Sequence, residues 1–239
     1  MSAQDDDTIT IGFLPGVVDP FYQVMELGVR QAVEDSGLNI ELVVQIPETF
    51  NPTVQTPILD ALVARGDLDY LIIAATDREQ LVAPLQAARD AGIEIISVDT
   101  FIGDGDYVNG PVTFPLSYIG SDNVEGGRIA AEALAANVGE TGKVYIQNVR
   151  PGISTTDQRA QGFREGIAQY PNMEVIGEDF NEDTQDLAVQ QTAGFLKLDI
   201  ALVRDLLRAA STSAVGTKRK AGSSACTETM QPRGFACRS

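Results

Sequence analysis

"TITIGFLPGVVDPFYQVMELGVRQAVEDSGLNIELVVQ", residues 8–45, is the stretch on which the fold turns. "TITIGFL" (8–14) is a β-rich run, and behind it Phe21, Met25, Gly28, Val29, Ala32 and Val33 recur at the spacing of one helical face. "NIELVVQ" (39–45) is again strand-like. The same unit then repeats. A helix over 52–65 carries Val54, Ile58, Leu59, Leu62 and Val63, followed by "LDYLIIAA" (68–75), a helix over about 78–91, and "IEIISVD" (93–99). Short, continuous apolar strands that alternate with helices imply a parallel sheet covered on both faces, a doubly wound α/β lobe.

"IGDGDYVNGPVTFP" (102–115) breaks the alternation: rich in Gly, Pro and Asp and without a period, it reads as a long loop. The pattern resumes with "LSYIGSDN", a helix over 124–138, strand "KVYIQNV" (143–149), a helix over 156–170, strand "MEVIGED" (173–179) and a helix over about 184–196. The expected fold is α/β, with two doubly wound parallel-sheet lobes and a ligand cleft between them, the second lobe incomplete. The lobes are expected at 8–120 and 121–197, with an atypical basic tail over 198–239.

Composition narrows the chemistry. The 239 residues include no histidine, which removes the usual hydrolytic triads, the usual zinc sites and the commonest general base. Neither a metal nor a cofactor is expected. The two cysteines, Cys226 and Cys237, both lie in the last fourteen residues, so neither a disulfide framework nor a Cys-x-x-Cys site organises the fold. No apolar run approaches the roughly 18 residues of a membrane-spanning helix. Of 17 basic and 34 acidic residues, seven and three fall in 198–239, leaving 10 against 31 ahead of them. A body that acidic repels phosphate backbones, so nucleic acid is not an expected partner.

In such sheets ligands bind beyond the carboxyl ends of the strands, where loops and helix N-termini converge. Those positions hold Asp19, Phe21 and Tyr22; "AATD" (74–77); Asp99, Thr100 and Phe101; "RPGISTTDQR" (150–159); and "DFNED" (179–183). Flat aromatics cover the apolar face of a sugar ring, while carboxylates and arginine take its hydroxyl edge. Each residue also has a plainer reading. Phe21 and Tyr22 fit helix-start core aromatics, Asp19 an N-cap ahead of Pro20, Asp99 a bond to loop amides, and Arg159 an ion pair with Asp157 or Glu165.

Five segments in order, "IGFLPGVVDPFYQVMELGVRQAVEDSG", "DYLIIAATD", "GIEIISVDTF", "YIGSDNVEGGRIAAEAL" and "RAQGFREGI", resemble the type I periplasmic binding proteins that serve sugar ABC transporters, the ribose-binding type among them. The resemblance implies ring-stacking by Phe21 and Tyr22, hydroxyl contacts from Asp19, Asp99, Arg159 and Ser121, and a second-lobe aromatic at Phe180. It implies a non-enzymatic protein, monomeric, that carries a monosaccharide or polyol to a membrane permease, in the periplasm or outside the cell. Ala74, Ala75, Thr76 and Asp77 replace the Asn-Pro-Thr-Asp common in ribose binders, and Thr100 stands where arginine is common, so a polyol other than ribose is expected. The effector domain of a LacI-type regulator is the alternative, but it needs an N-terminal helix-turn-helix and only seven residues precede "TITIG", so that reading requires truncation at that end as well. An α/β enzyme using Asp99 lacks a partner base.

From about residue 197 the text departs from the resemblance, and "LDIALVRDLLRAASTSAVGTKRKAGSSACTETMQPRGFACRS" reads as a translated wrong frame or as a basic arm. Either would leave a sheet edge uncovered, with weak or no sugar binding as the expected result. No signal peptide is read at the start, where "SAQDDD" resembles the acidic spacer behind a cleaved one.

Overall fold

A computed structural model describes residues 8–198; the tail expectations for 198–239, with both cysteines, lie essentially outside the described residues. The first lobe opens with β1 (Ile9–Leu14), α1 (Pro20–Ser36), β2 (Ile40–Val44), α2 (Pro52–Ala64) and β3 (Tyr70–Ile73). It continues with α3 (Val82–Asp90), β4 (Glu94–Val98) and β5 (Ser117–Ile119). The five strands form one parallel sheet in the order β2-β1-β3-β4-β5. β5 is the beginning of "SYIGSDN", which therefore completes the first sheet before the chain enters the second lobe. That lobe consists of α4 (Asn123–Val138), β6 (Thr141–Asn148), α5 (Ser154–Ile167), β7 (Asn172–Phe180) and α6 (Gln185–Leu198). Among the described residues its sheet is the parallel pair β6–β7.

Local sequence explains the element ends. Asp19 accepts the Tyr22 N–H at 3.0 Å as the N-cap of α1, with Pro20 in its first turn and Gly37 closing it at φ 64°. Asn51 and Asp122 cap α2 and α4 in the same way. The first core lies between sheet and helices, with Leu14, Leu59, Leu71, Ile73, Leu81, Leu85 and Ile95 fully buried. Ile102 and Val112 of the Gly/Pro/Asp-rich segment join it. That segment is pinned as well: the Tyr107 hydroxyl bonds Ser97 Oγ at 2.7 Å and accepts the Ile102 N–H at 2.9 Å.

The apolar face expected on α1 holds at Met25, Val29 and Val33 but differs at its start, where Tyr22 rather than Phe21 turns inward. Tyr22 is buried, Met25, Val29 and Val33 are half-buried, and Phe21 is 55 % exposed. In the second lobe α4 and α5 pack backbone to backbone. A Cβ on Gly127 would run into the Arg159 carbonyl, and one on Gly162 into the Val124 carbonyl, so the two glycines set the closeness of the helices.

The lobes also meet directly. The Arg78 N–H donates to the Gly152 carbonyl at 3.0 Å, Arg150 Nη2 to the Thr76 carbonyl at 2.5 Å, and the Phe101 N–H to Ser154 Oγ at 3.0 Å. Here the loops after β3 and β4 touch the β6–α5 turn.

Candidate functional site: an interlobe cleft

Beside those crossings lies a cavity of about 250 Å³, walled by Asp19, Phe21, Tyr22, Phe50 and Asp99 from one lobe and by Thr155, Thr156, Arg159 and Asp183 from the other. Each residue arrives at the end of a strand or the start of a helix. β1 leads into the cap residue Asp19 and the first turn of α1; β2 leads to Phe50; β4 ends at Asp99; β6 turns into α5, whose second turn carries Arg159.

The aromatic wall is a cluster. Phe21 and Tyr22 meet edge to face with centroids 5.1 Å apart, and Tyr22 and Phe50 lie nearly parallel at 6.5 Å. Gly16 creates the room for it, since a Cβ there would strike the Phe50 ring and come within 2.8 Å of the Tyr22 hydroxyl.

Asp99 sits at φ 60°, in the left-handed region. Its Oδ2 accepts the Tyr22 hydroxyl at 2.9 Å. Burial raises the Asp99 carboxyl above its ordinary range, the Tyr22 bond and the positive charge of Arg159 pull it back, and Asp19 pushes it further up. Burial, reinforced by the charge of Asp99, drives the Tyr22 hydroxyl far above its usual value, so Tyr22 is a fixed donor to Asp99. Across the cavity Arg159 is anchored by Nε to Asn123 Oδ1 at 2.8 Å, rather than paired with Asp157 or Glu165. Its terminal nitrogens have no hydrogen-bond partner among the described residues, and they supply donors opposite the acceptors of Asp99 and Asp19.

Five of the seven expected site residues, Asp19, Phe21, Tyr22, Asp99 and Arg159, thus line one cavity. Two lie elsewhere. Phe180 is the last residue of β7 and lines a surface groove with Asp157, Gln161, Arg164 and Glu178. The chain then turns at Glu182 and Asp183, both at positive φ, and it is Asp183 that reaches the cavity. Ser121 is exposed between β5 and α4, where its carbonyl accepts Asn123 Nδ2 at 3.1 Å. Phe50, Thr155, Thr156 and Asp183 are further lining residues. Each follows a strand or opens a helix, the same positional signal that points to the other five. Among the described residues no cluster of three or more carboxylates or thiols could hold a metal ion, and no helix is long and apolar enough to cross a membrane.

Comparison with known proteins decides the family: the profile described as "Periplasmic binding protein domain" matches residues 11–218. The chain belongs to the periplasmic binding protein family. Among curated proteins it is 28% identical over 169 residues to the ribose import binding protein RbsB of Salmonella typhimurium, covering 71% of this chain and 53% of that one. It thus spans about half the length of that relative. Among solved structures, an ABC transporter solute-binding protein from Agrobacterium vitis, bound with α-D-tagatopyranose, is 45% identical with a TM-score of 0.77, covering 81% of this chain and 65% of that one. A solute-binding protein from Burkholderia graminis in complex with D-arabinose shares the fold at 22% identity and a TM-score of 0.70, covering 84% and 65%. The two-lobed parallel architecture is that of the family.

Proposed function

We propose that the cleft binds a neutral monosaccharide or related polyol, and that the protein to which this chain corresponds delivers it to the permease of an ABC transporter in the cell envelope, by binding and lobe closure without chemistry. The observation that carries this reading is the cavity itself. Two lobes contribute opposite halves of a sugar-recognition set, with the Phe21–Tyr22–Phe50 rings and the Asp19 and Asp99 acceptors on one side and the Arg159 and Thr155–Thr156 donors on the other. The similarity to a tagatose-bound solute-binding protein makes a pyranose-form ketohexose the first candidate ligand. Closure around the ligand would place these groups together in a desolvated site, where hydrogen bonds to charged partners are strongest.

Isothermal titration of the 239-residue chain against D-tagatose, D-fructose, D-allose, D-arabinose and D-ribose tests the reading. Saturable one-to-one binding of at least one of them, weak in this chain and lost in Asp99→Ala and in Arg159→Ala, is the expected result. Absence of binding across the panel, or binding that survives both substitutions, would overturn it.

A further inference from the structure

Asp99 is the cavity's most constrained acceptor, and a residue outside the cavity holds it. We propose that Tyr118 is a positioning residue for ligand binding: from β5 it fixes the main chain of Asp99 in the left-handed conformation that presents the carboxylate to the cleft. The proposal rests on the sugar-binding reading for its ligand and on the fold alone for its geometry.

Left-handed backbone is unfavourable for a non-glycine residue; aspartate tolerates it better than most, but something must select it. Four hydrogen bonds act on it here, one of them from the Thr100 N–H to the Val98 carbonyl at 2.6 Å, which closes the turn across Asp99 itself. The Asp99 N–H donates to the Ile119 carbonyl at 2.9 Å, one step beyond the last β4–β5 pair, Val98–Ile119. The Tyr118 hydroxyl donates to the Asp99 carbonyl at 2.8 Å. The Tyr22 hydroxyl holds the carboxylate. The Thr100 bond is local to the turn, the Asp99 N–H extends the ladder and Tyr22 lies inside the site, so among the described residues Tyr118 supplies the one side-chain bond from outside the cavity to the main chain of Asp99.

Tyr118 is built for that task. Its ring stands edge-on to Phe101, with centroids 5.8 Å apart and planes at 88°, which fixes its direction. Gly120 leaves the space for its hydroxyl, because a Cβ there would occupy it. Burial raises the Tyr118 hydroxyl above its ordinary value, and the charge of Asp99 adds to the effect, so it remains a donor. Without this bond, relaxation of Asp99 to an ordinary conformation would swing the carboxylate away from Tyr22 and Arg159.

Two variants test the idea by different routes: Tyr118→Phe removes the hydroxyl and keeps the ring, while Gly120→Ala keeps the hydroxyl and displaces it. On the full chain, D-tagatose affinity is measured by calorimetry, and the titration of the Asp99 carboxyl is followed by carbon-detected NMR in ligand-free protein. Thermal unfolding identifies a variant that fails to fold, in which case the other carries the test. Both are expected to weaken binding about five- to tenfold, the loss of one hydrogen bond's contribution. Both are also expected to lower the Asp99 titration towards the ordinary carboxylate range as the group gains solvent. Unchanged Asp99 titration in both variants would overturn the proposal, whatever the binding does, since a merely structural tyrosine would leave it in place. If the unmodified chain binds no sugar and the titration still moves, the sugar reading fails and the positioning role stands.

Discussion

Replacing Gln55 by leucine removes four hydrogen bonds at one buried point. The side chain is fully buried on α2; its Nε2 donates to the Ala74 carbonyl at 2.8 Å and the Pro15 carbonyl at 3.2 Å, and its Oε1 accepts both the Thr76 N–H and the Thr76 hydroxyl at 2.9 Å. One amide thus ties the outgoing ends of β1 and β3 to α2. At about 1 kcal/mol net per bond the loss is about 4 kcal/mol, and the added apolar burial of leucine returns about 1–2 kcal/mol of it. A net destabilisation of about 2–3 kcal/mol is a large share of the roughly 5–15 kcal/mol that holds a domain folded. With a urea m-value of about 2 kcal/mol/M, the unfolding midpoint measured by circular dichroism falls by about 1–1.5 M. Gln55→Glu should be at least as damaging, because it turns two donors into acceptors facing carbonyls and buries an acid. A midpoint shift below about 0.3 M for Gln55→Leu would refute the claim that this amide ties the two strand ends together.

Gly16→Ala should crowd Phe50 and Tyr22, costing about 1–3 kcal/mol in chemical unfolding and weakening ligand affinity in the same calorimetric assay; an affinity equal to the parent's would show that the aromatic wall can shift freely. Asp99→Asn should trade binding for stability. Because burial raises the folded-state carboxyl above its unfolded value near 3.9, the parent's relative stability is greatest below that pH and falls as pH rises through the folded value. The asparagine variant should therefore unfold at higher urea at pH 7, with the gain absent at pH 3, while sugar affinity drops; a variant less stable at pH 7 than at pH 3 relative to the parent would contradict the assigned direction. Arg159→Met should weaken binding about 10- to 100-fold, the range for a hydrogen bond to a charged group, with little change in thermal unfolding. A comparable loss of stability would mean that its bond to Asn123, rather than ligand contact, is its main work.

The strand–helix alternation was legible because the first-lobe strands are short, largely apolar runs and α1, α2 and α4 carry side-chain caps at Asp19, Asn51 and Asp122, although α3 and α5 start without one. The strand-end rule then located the cleft residues without any contact information. What it could not supply is direction. Phe21 and Tyr22 are adjacent, and periodicity placed the wrong one on the buried face, since the cap at Asp19 sets the phase of α1 and turns Tyr22 inward. In "DFNED" the aromatic drew attention, but two consecutive positive-φ residues, which no propensity marks in Glu182, carry Asp183 to the cavity. Asp99 was visible as a strand-end acid. Its left-handed backbone and the bond its carbonyl accepts from Tyr118, nineteen residues away across a loop with no period, were not.

Among the described residues, the three bonds that cross between the lobes share a property on the first lobe's side: they end on the Thr76 carbonyl, the Arg78 N–H and the Phe101 N–H, all main-chain atoms. Every residue type but proline carries these atoms, so any other substitution at those positions keeps them. First-lobe side chains at these points are therefore free to drift under selection for a new solute, while the grip between the halves rests on two side chains of the second lobe, Arg150 and Ser154.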